Sequence, residues 1–392
     1  MREVFAAFLR LGCTSFGGPI AHLAYFRRAF VEERRWLDES TYARIVGFCS
    51  VLPGPTSSQV GMLIGLTRGG PLGALAAWLG FTAPSALLMA AVAAALTGAE
   101  RHAVPTWFGG LLAGLFAAAA AVVAQAVIAL ARSLCTDLPT KAVALGAMAV
   151  ALALRPFPGF QWLPIALGAL AGALALHAPG LRAAALPIRV TRGVSLGAAA
   201  VFLALVGVTL LPRDATTALL GTVIRAGALV FGGGHVVLPL LQSLIRDNLI
   251  ATQDFFAGYG AAQAMPGPLN SFATFVGYAN GSPLHGAAGA IVTTILIFLP
   301  SFALIFAIAP VWNRITALPR AVGALRGANA SVVGLLAAVL YDPVLVSLGP
   351  NAARLAIALA AFVAIALFRA APWLVVVAAA VAGALLHAWV AA

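Results

Sequence analysis

Charge is what this sequence has least of. Only 9% of its 392 residues are Asp, Glu, Lys or Arg, against roughly a quarter in soluble globular chains. Hydrophobic residues make up 62%, which excludes a soluble fold and equally a disordered chain. Lysine is nearly missing: Lys141 stands alone beside 22 arginines. The basic residues never run longer than Arg27-Arg28 and Arg34-Arg35, so the net charge of +12 does not describe a nucleic-acid-binding patch. Three cysteines, Cys13, Cys49 and Cys135, lack metal-ligand spacing, which argues against a zinc module or a disulfide scaffold. No cleavable leader is visible, and Arg10 interrupts the apolar run that a lipoprotein reading of Leu11-Gly12-Cys13 would need.

What remains is long apolar sequence. From Phe255 to Asn313, 59 consecutive positions carry no Asp, Glu, Lys or Arg, enough for two spans at about 20 residues each. Apolar segments fall at about 4–31, 42–67, 71–99, 105–131, 139–154, 160–178, 194–212, 217–245, 255–280, 283–310, 319–341, 353–368 and 371–391. The expected fold is an all-α polytopic membrane protein of about thirteen apolar segments.

The chain repeats itself. Phe16-Gly17-Gly18 returns as Phe231-Gly232-Gly233, with Arg10 and Gly12 returning as Arg225 and Gly227. Pro53-Gly54-Pro55 returns as Pro266-Gly267-Pro268, and Gly69-Gly70-Pro71-Leu72 as Gly281-Ser282-Pro283-Leu284. Pro84-Ser85 returns as Pro300-Ser301, and Ala171-Gly172-Ala173-Leu174 as Ala382-Gly383-Ala384-Leu385. The offset stays between 211 and 216 throughout, so the halves are duplicates. The division expected is a first repeat over 1–180, a linker with one connecting helix over 181–214, and a second repeat over 215–392. Six segments belong to each half and one is left over, which turns the second copy upside down when each copy crosses an even number of times. That is the inverted-repeat plan of many transporters, with the site at the repeat interface near mid-membrane.

Basic residues sharpen the topology. If all thirteen segments cross, the loop Lys and Arg divide eleven to eight, with the Arg-rich loop 27–35 on the poorer side. If the first two segments of each half are re-entrant helical hairpins, the division becomes fourteen to five, as a positive-inside bias requires. Gly17-Gly18-Pro19 and Pro53-Gly54-Pro55 leave arms of about 11–13 residues, too short to span but able to reach mid-membrane. The N-terminus is then cytoplasmic and the C-terminus periplasmic.

Pro-Gly-Pro removes two backbone donors and disfavours helix before it, so the ladder breaks there. Broken backbone at membrane depth survives only when buried in protein or lining a watery cavity. Scattered glycines elsewhere read as helix-packing positions. Half-helix N-termini aim free N–H groups and partial positive charge at the cavity, an arrangement suited to an anion. The candidate substrate-binding residues are Arg10, Arg225, the chain breaks at Gly17, Gly18, Pro53, Gly54, Pro55, Gly232, Gly233, Pro266, Gly267 and Pro268, and the side chains of Ser57, Gln59, His235, Asn270 and Ser271. All eleven acids lie in loops or at segment ends, whereas cation carriers place Asp or Glu inside the membrane. No nucleophile–base pair, Walker loop or HExxH appears, so an enzyme is not expected, and a non-transporting scaffold would not need polar breaks at mid-depth. No cofactor is implied.

The combination Ser15-Phe16-Gly17-Gly18-Pro19, Trp36-Leu37 and Leu52-Pro53-Gly54-Pro55, duplicated in one chain, resembles the chromate ion transporter family in its long two-domain form. The second copy departs at Gly234, where the first has Pro19, and at Asn270-Ser271 in place of Ser57-Ser58. The resemblance implies a bacterial inner-membrane protein that exports chromate and confers resistance, with sulfate as the natural mimic. Expected partners are the oxyanion and the lipid bilayer; a homodimer stays open. Expelling a dianion from an inside-negative cell releases roughly 4.6 kcal/mol per 100 mV, so membrane potential or anion exchange suffices to drive export.

Overall fold

The computed structural model describes residues 1–16, 18–98, 106–154, 163–176, 190–209, 214–230, 237, 241 and 249–391. Gly17, Gly232, Gly233, His235 and Arg246 lie outside them. The described chain is helical throughout. Three of its acids cap helix starts: Asp38, Asp137 and Asp214 each accept the backbone N–H three residues on. That placement satisfies an orphan donor and complements the helix dipole at an interface where charge is tolerated.

The first two apolar segments are hairpins. Helix α1 (Arg2–Thr14) and α2 (Gly18–Arg27) stand on either side of the break. Phe8 packs on Phe26 and Phe30 at 5.5 and 4.8 Å, so the second arm returns along the first. Helix α3 (Glu39–Val51) then enters, and α4 (Thr56–Gly98) begins after Pro-Gly-Pro. Its arm 56–68 comes back to the starting face. There Arg68 meets Glu3 at 3.4 Å, and the guanidiniums of Arg34 and Arg68 cover the Trp36 ring at 5.7 and 5.3 Å. The N-terminus, the loop around Arg34 and the turn after Arg68 therefore share one end of the molecule. Arms of 10–13 residues extend about 15–20 Å, half to two-thirds of a hydrocarbon core of about 30 Å.

Helix α4 is one helix only nominally, because Gly69 and Gly70 leave helical geometry. A Cβ on Gly65 would strike the Gly73 carbonyl and one on Gly73 the Gly65 carbonyl, so the chain reverses between them. The arm 71–98 then crosses, passing Gly267 and Ser271 at Ser85 and joining the second half's core at Met89 and Ala93.

The second half runs the opposite way. Helix α5 (Thr106–Leu134), α6 (Leu138–Ala153) and α7 (Leu163–Ala175) finish the first repeat, and α8 (Arg192–Val208) connects to α9 (Ala215–Leu229). Helix α10 (Thr252–Ala264) and α11 (Phe272–Ala279) flank the second Pro-Gly-Pro, and the Gly281 N–H bonds the Leu249 carbonyl at 2.7 Å, closing this hairpin on its own face. Helix α12 (Gly286–Ile308) leaves that face and passes Gly54 at Ser301. It enters the first half's core at Ile305, and Trp312 beyond it meets the Phe48 ring at 4.9 Å. Each long helix thus starts in its own repeat's core and ends in the other's, in opposite senses. The repeat is inverted.

The outer helices exchange in the same manner. Helix α13 (Pro319–Val339), α14 (Ala352–Ala366) and α15 (Pro372–Ala391) complete the chain. Gly172 of α7 sits on Gly323 and Gly327 of α13, and Gly383 of α15 on Gly110 and Gly114 of α5. Backbones this close exclude any side chain, which gives the small-residue spacing read from the sequence its physical reason. By length and composition, 56–97, 109–134, 286–311 and 319–342 are apolar enough to cross a membrane; the first reaches its length only by running through the Gly69-Gly70 reversal.

Candidate functional site

The two broken-helix motifs meet at the centre, and each is completed by the other repeat. The Gly54 N–H donates to the Val230 carbonyl, and the Gly267 N–H donates to the Ser15 carbonyl at 2.9 Å. Ser15 and Val230 each precede a motif phenylalanine, so the Pro-Gly-Pro glycine of one half is held by the Phe-Gly-Gly approach of the other. The same reciprocity extends to the long helices. A Cβ on Gly54 would meet Ser301, and one on Gly267 would meet Ser85. Both glycines have positive φ, +132° and +90°, a region that other residues enter only with strain. They supply close backbone approach and an unusual turn at once.

Polar side chains collect here. Gln59 Nε2 donates to the Pro53 carbonyl at 2.8 Å, bracing the break from inside. His22 is 1% exposed; its Nδ1 lies 3.2 Å from Ser57 Oγ and its Nε2 3.2 Å from the Ser15 carbonyl. Ser85 Oγ donates to the Thr82 carbonyl at 3.0 Å and pairs with Ser271 Oγ at 2.6 Å, tying the first repeat's long helix to the second repeat's motif. Ser15 Oγ, Ser58 Oγ, Gln59 Oε1, Thr82 Oγ1 and Asn270 Nδ2 are buried with no hydrogen-bond partner among the described residues. Buried polar atoms are normally satisfied. Five such atoms lie on the segments that converge here.

The two arginines at equivalent repeat positions are in different surroundings. Arg225 is 9% exposed and donates to Thr222 Oγ1 at 3.0 Å and to the Thr209 carbonyl, at the end of α8, at 3.4 Å. Arg10 is exposed on α1, and its carbonyl accepts from Thr14 Oγ1. Arg44 donates to Thr41 Oγ1 at 2.7 Å, and Arg326 pairs with Asp137 at 2.5 Å. Asp342 does lie at the end of a helical segment, as the sequence indicated, but it is only 8% exposed.

Of the candidates read from the sequence, Gly18, Pro53, Gly54, Pro55, Ser57, Gln59, Pro266, Gly267, Pro268, Asn270 and Ser271 lie on the converging breaks; Gly17, Gly232, Gly233 and His235 fall outside the described residues. Sequence reasoning passed over His22, Ser15, Thr82, Ser85 and Ser301. A signal existed for three of them. Pro84-Ser85 repeats as Pro300-Ser301, and His22 stands 213 residues before His235, the same separation as the two Pro-Gly-Pro motifs.

Hairpins broken by Pro-Gly-Pro, an inverted repeat and polar groups where the two copies meet are the features of a multi-pass membrane transporter. The profile of the chromate transporter family matches residues 2–176 and 217–384, both repeats, and the chain belongs to that family. A chromate transport protein of Pseudomonas aeruginosa is 29% identical over 350 residues, covering 87% of this chain and 80% of that protein. A probable chromate transport protein of Synechococcus elongatus is 27% identical over 362 residues, covering 86% and 83%. An uncharacterized transporter of Methanocaldococcus jannaschii is 28% identical over 352 residues, covering 86% and 83%. No solved structure matches the chain.

Proposed function

We propose that this protein exports a tetrahedral oxyanion, chromate first and sulfate or a similar dianion as the alternative, from the cytoplasm across the bacterial inner membrane. The observation that carries the reading is the reciprocal junction. The hydrogen bonds that build it join backbone amides, carbonyls, hydroxyls, one amide side chain and one imidazole, with helical segments opening at Thr56 and Leu269. Such a set of donors and positive dipole ends favours a dianion. The relatives named as chromate transport proteins support chromate as the first substrate to test.

In this reading the anion sits between Gly17-Gly18-Gly54 and Gly232-Gly233-Gly267, near Ser57, Gln59, His235, Asn270 and Ser271, with the prolines holding the breaks open. Arg225 supplies charge from a buried position and Arg10 from an exposed one. Alternating access follows from rocking one repeat against the other about the shared glycine contacts. Expulsion of a dianion down the membrane potential, or exchange for an external anion, supplies the drive. No bond in the substrate is broken. The Glu3 end is assigned to the cytoplasm and the C-terminus to the periplasm, and a homodimer is compatible with this arrangement.

Everted vesicles, with and without an imposed potential, test the proposal through uptake of radiolabelled chromate and sulfate. Saturable, potential-stimulated uptake of either anion is expected; its absence for both would sink the reading. Single cysteines at Arg34 and Gly69, in a background lacking Cys13, Cys49 and Cys135, should label from the cytoplasm, and those at Arg246 and Gly281 from the periplasm.

A further inference from the structure

We infer that His22 is a protonatable member of the oxyanion site and that its proton is taken up together with the anion. The inference rests on the transport reading and adds a coupling residue to it. His22 lies on α2, four residues past Gly18, where its ring is wedged edge-on against Phe81 at 5.2 Å. Its two nitrogens reach two different chain breaks. Nε2 meets the Ser15 carbonyl, which also accepts the Gly267 N–H of the other repeat, and Nδ1 meets Ser57 at the start of α4. One imidazole therefore touches the end of α1, the N-terminus of the helix after Pro-Gly-Pro and, through one shared carbonyl, the second repeat's motif.

The hydrogen-bond directions fix what protonation does. A carbonyl can only accept, so Nε2 carries hydrogen and donates to Ser15. In the neutral ring Nδ1 is then the acceptor, and the Ser57 hydroxyl spends its hydrogen on it. When Nδ1 takes a proton it becomes a donor, Ser57 must accept, and the Ser57 hydrogen turns outward. Two changes favour an anion at once: a unit positive charge appears among the broken helices, and a hydroxyl donor is released beside the backbone N–H groups of the α4 N-terminus. Reciprocally, an anion bound there draws a proton onto His22.

Among the groups that face His22, these belong to described residues. From the end of α1 comes Ser15, from α4 Ser57 and Phe81, and from the second repeat's motif the Gly267 amide. The nearest charged side chains along the chain, Arg10 on α1 and Arg27 on α2, are exposed, and Arg27 pairs with Glu32 and Glu39.

The test compares wild type with His22→Gln and His22→Asn in everted vesicles, reading the KM for chromate between about pH 5 and 8. Chromate's own titration is common to all three proteins, so the difference between them isolates His22. The wild-type KM is expected to rise more steeply with pH than either variant's, by up to about tenfold per unit on the alkaline side. Parallel pH profiles in wild type and an active variant would overturn the inference and leave the transport reading standing. If neither variant transports, purified wild type decides. Chromate added to weakly buffered micelles, about one pH unit above the ordinary imidazole value, should draw up to one proton per chain. Saturable chromate binding without that proton uptake also overturns it. A wild type that neither binds nor moves chromate removes the transport reading and this inference together.

Discussion

In the first repeat, the residue six positions before the motif phenylalanine is Arg10, exposed on α1; in the second it is Arg225, buried and bonded to Thr222 and Thr209. After the first Pro-Gly-Pro come Thr56, Ser57, Ser58 and Gln59; after the second come Leu269, Asn270, Ser271 and Phe272. Yet the glycine of each Pro-Gly-Pro finds the same kind of carbonyl in the opposite half, and the serine after each helix proline faces it. Duplication has kept the backbone contacts and let the side chains diverge. Backbone contacts are reciprocal by geometry, since moving one glycine moves its counterpart's frame. A side chain has no such tie, so each half can contribute different groups to one central site.

The largest effects should come from breaking the shared backbone. Alanine at Gly54 or Gly267 takes on positive φ, costing about 1–2 kcal/mol, and its Cβ must find room. At Gly54 the obstacles are the Cβ of Ser301 and the Gln59 side chain; at Gly267 they are Ser85 Oγ at 2.9 Å and the Phe81 carbonyl at 3.2 Å. Overpacking of this kind adds about 1–3 kcal/mol. Both variants should lose transport, with Gly54→Ala losing more folded protein than Gly267→Ala in size-exclusion profiles after heating. Wild-type uptake in both would break the symmetry argument at its centre.

Next in size are the arginines, where the halves should differ. Arg225→Gln removes a buried cation and its hydrogen bonds, worth about 1.5–3 kcal/mol each when charged. It should abolish oxyanion uptake and lower the melting temperature together, while Arg225→Lys keeps charge but loses the planar fork. Arg10→Gln should weaken anion affinity with the melting temperature unchanged, because Arg10 is exposed. Near-normal affinity and rate in the Lys variants of both positions would remove the pair from the site.

The crossing glycines return to symmetry. A Cβ on Gly327 would strike the Gly168 carbonyl, and one on Gly114 the Ala379 carbonyl. Backbone cannot swing aside as a side chain can, so Gly114→Ala and Gly327→Ala should each destabilise by about 1–3 kcal/mol, and by similar amounts. Thermal unfolding in detergent measures both. A large inequality would mean that the outer helices, unlike the inner glycine contacts, do not share load between the repeats.

Much of this architecture was legible in the sequence because symmetry and broken helices leave marks in composition. Matched offsets gave the duplication, the odd segment gave the inversion, and arginine counts gave the hairpin that the Glu3, Trp36 and Arg68 cluster now closes. What could not be read was which repeat each motif would touch. Gly54 meeting Val230 is a contact across 176 positions of chain, set by how two inverted copies interlock rather than by any local pattern. His22 was hidden for a related reason: a single polar residue on an apolar segment looks like ordinary packing until both its nitrogens are traced to chain breaks. The different burial of Arg10 and Arg225 was equally invisible, since their sequence neighbourhoods are alike and the Thr209 carbonyl that meets Arg225 ends α8, a helix present once.

The smallest expected effect concerns two helix caps at corresponding places. Asp137 starts α6 and Asn351 starts α14, each accepting the N–H three residues on. Only Asp137 can change charge. Its bonds from the Thr140 side chain and backbone, with a lesser contribution from Arg326, hold its carboxyl well below the usual range, at about 2. A depressed carboxylate stabilises the fold fully above its unfolded value, and that stability is lost as pH falls through about 2. Asn351 contributes nothing that titrates. Asp137→Asn keeps the cap, since Asn serves there as well as Asp, and gives up the pair with Arg326. That pair is partly exposed, with side-chain accessibilities of 42% and 35%, so its loss should be small. Melting temperatures of wild type and Asp137→Asn should therefore differ slightly at neutral pH and converge as the medium is acidified from the ordinary carboxylate range toward about 2. A difference that stays constant through that window would mean the aspartate acts at α6 through shape alone, as Asn351 does at α14.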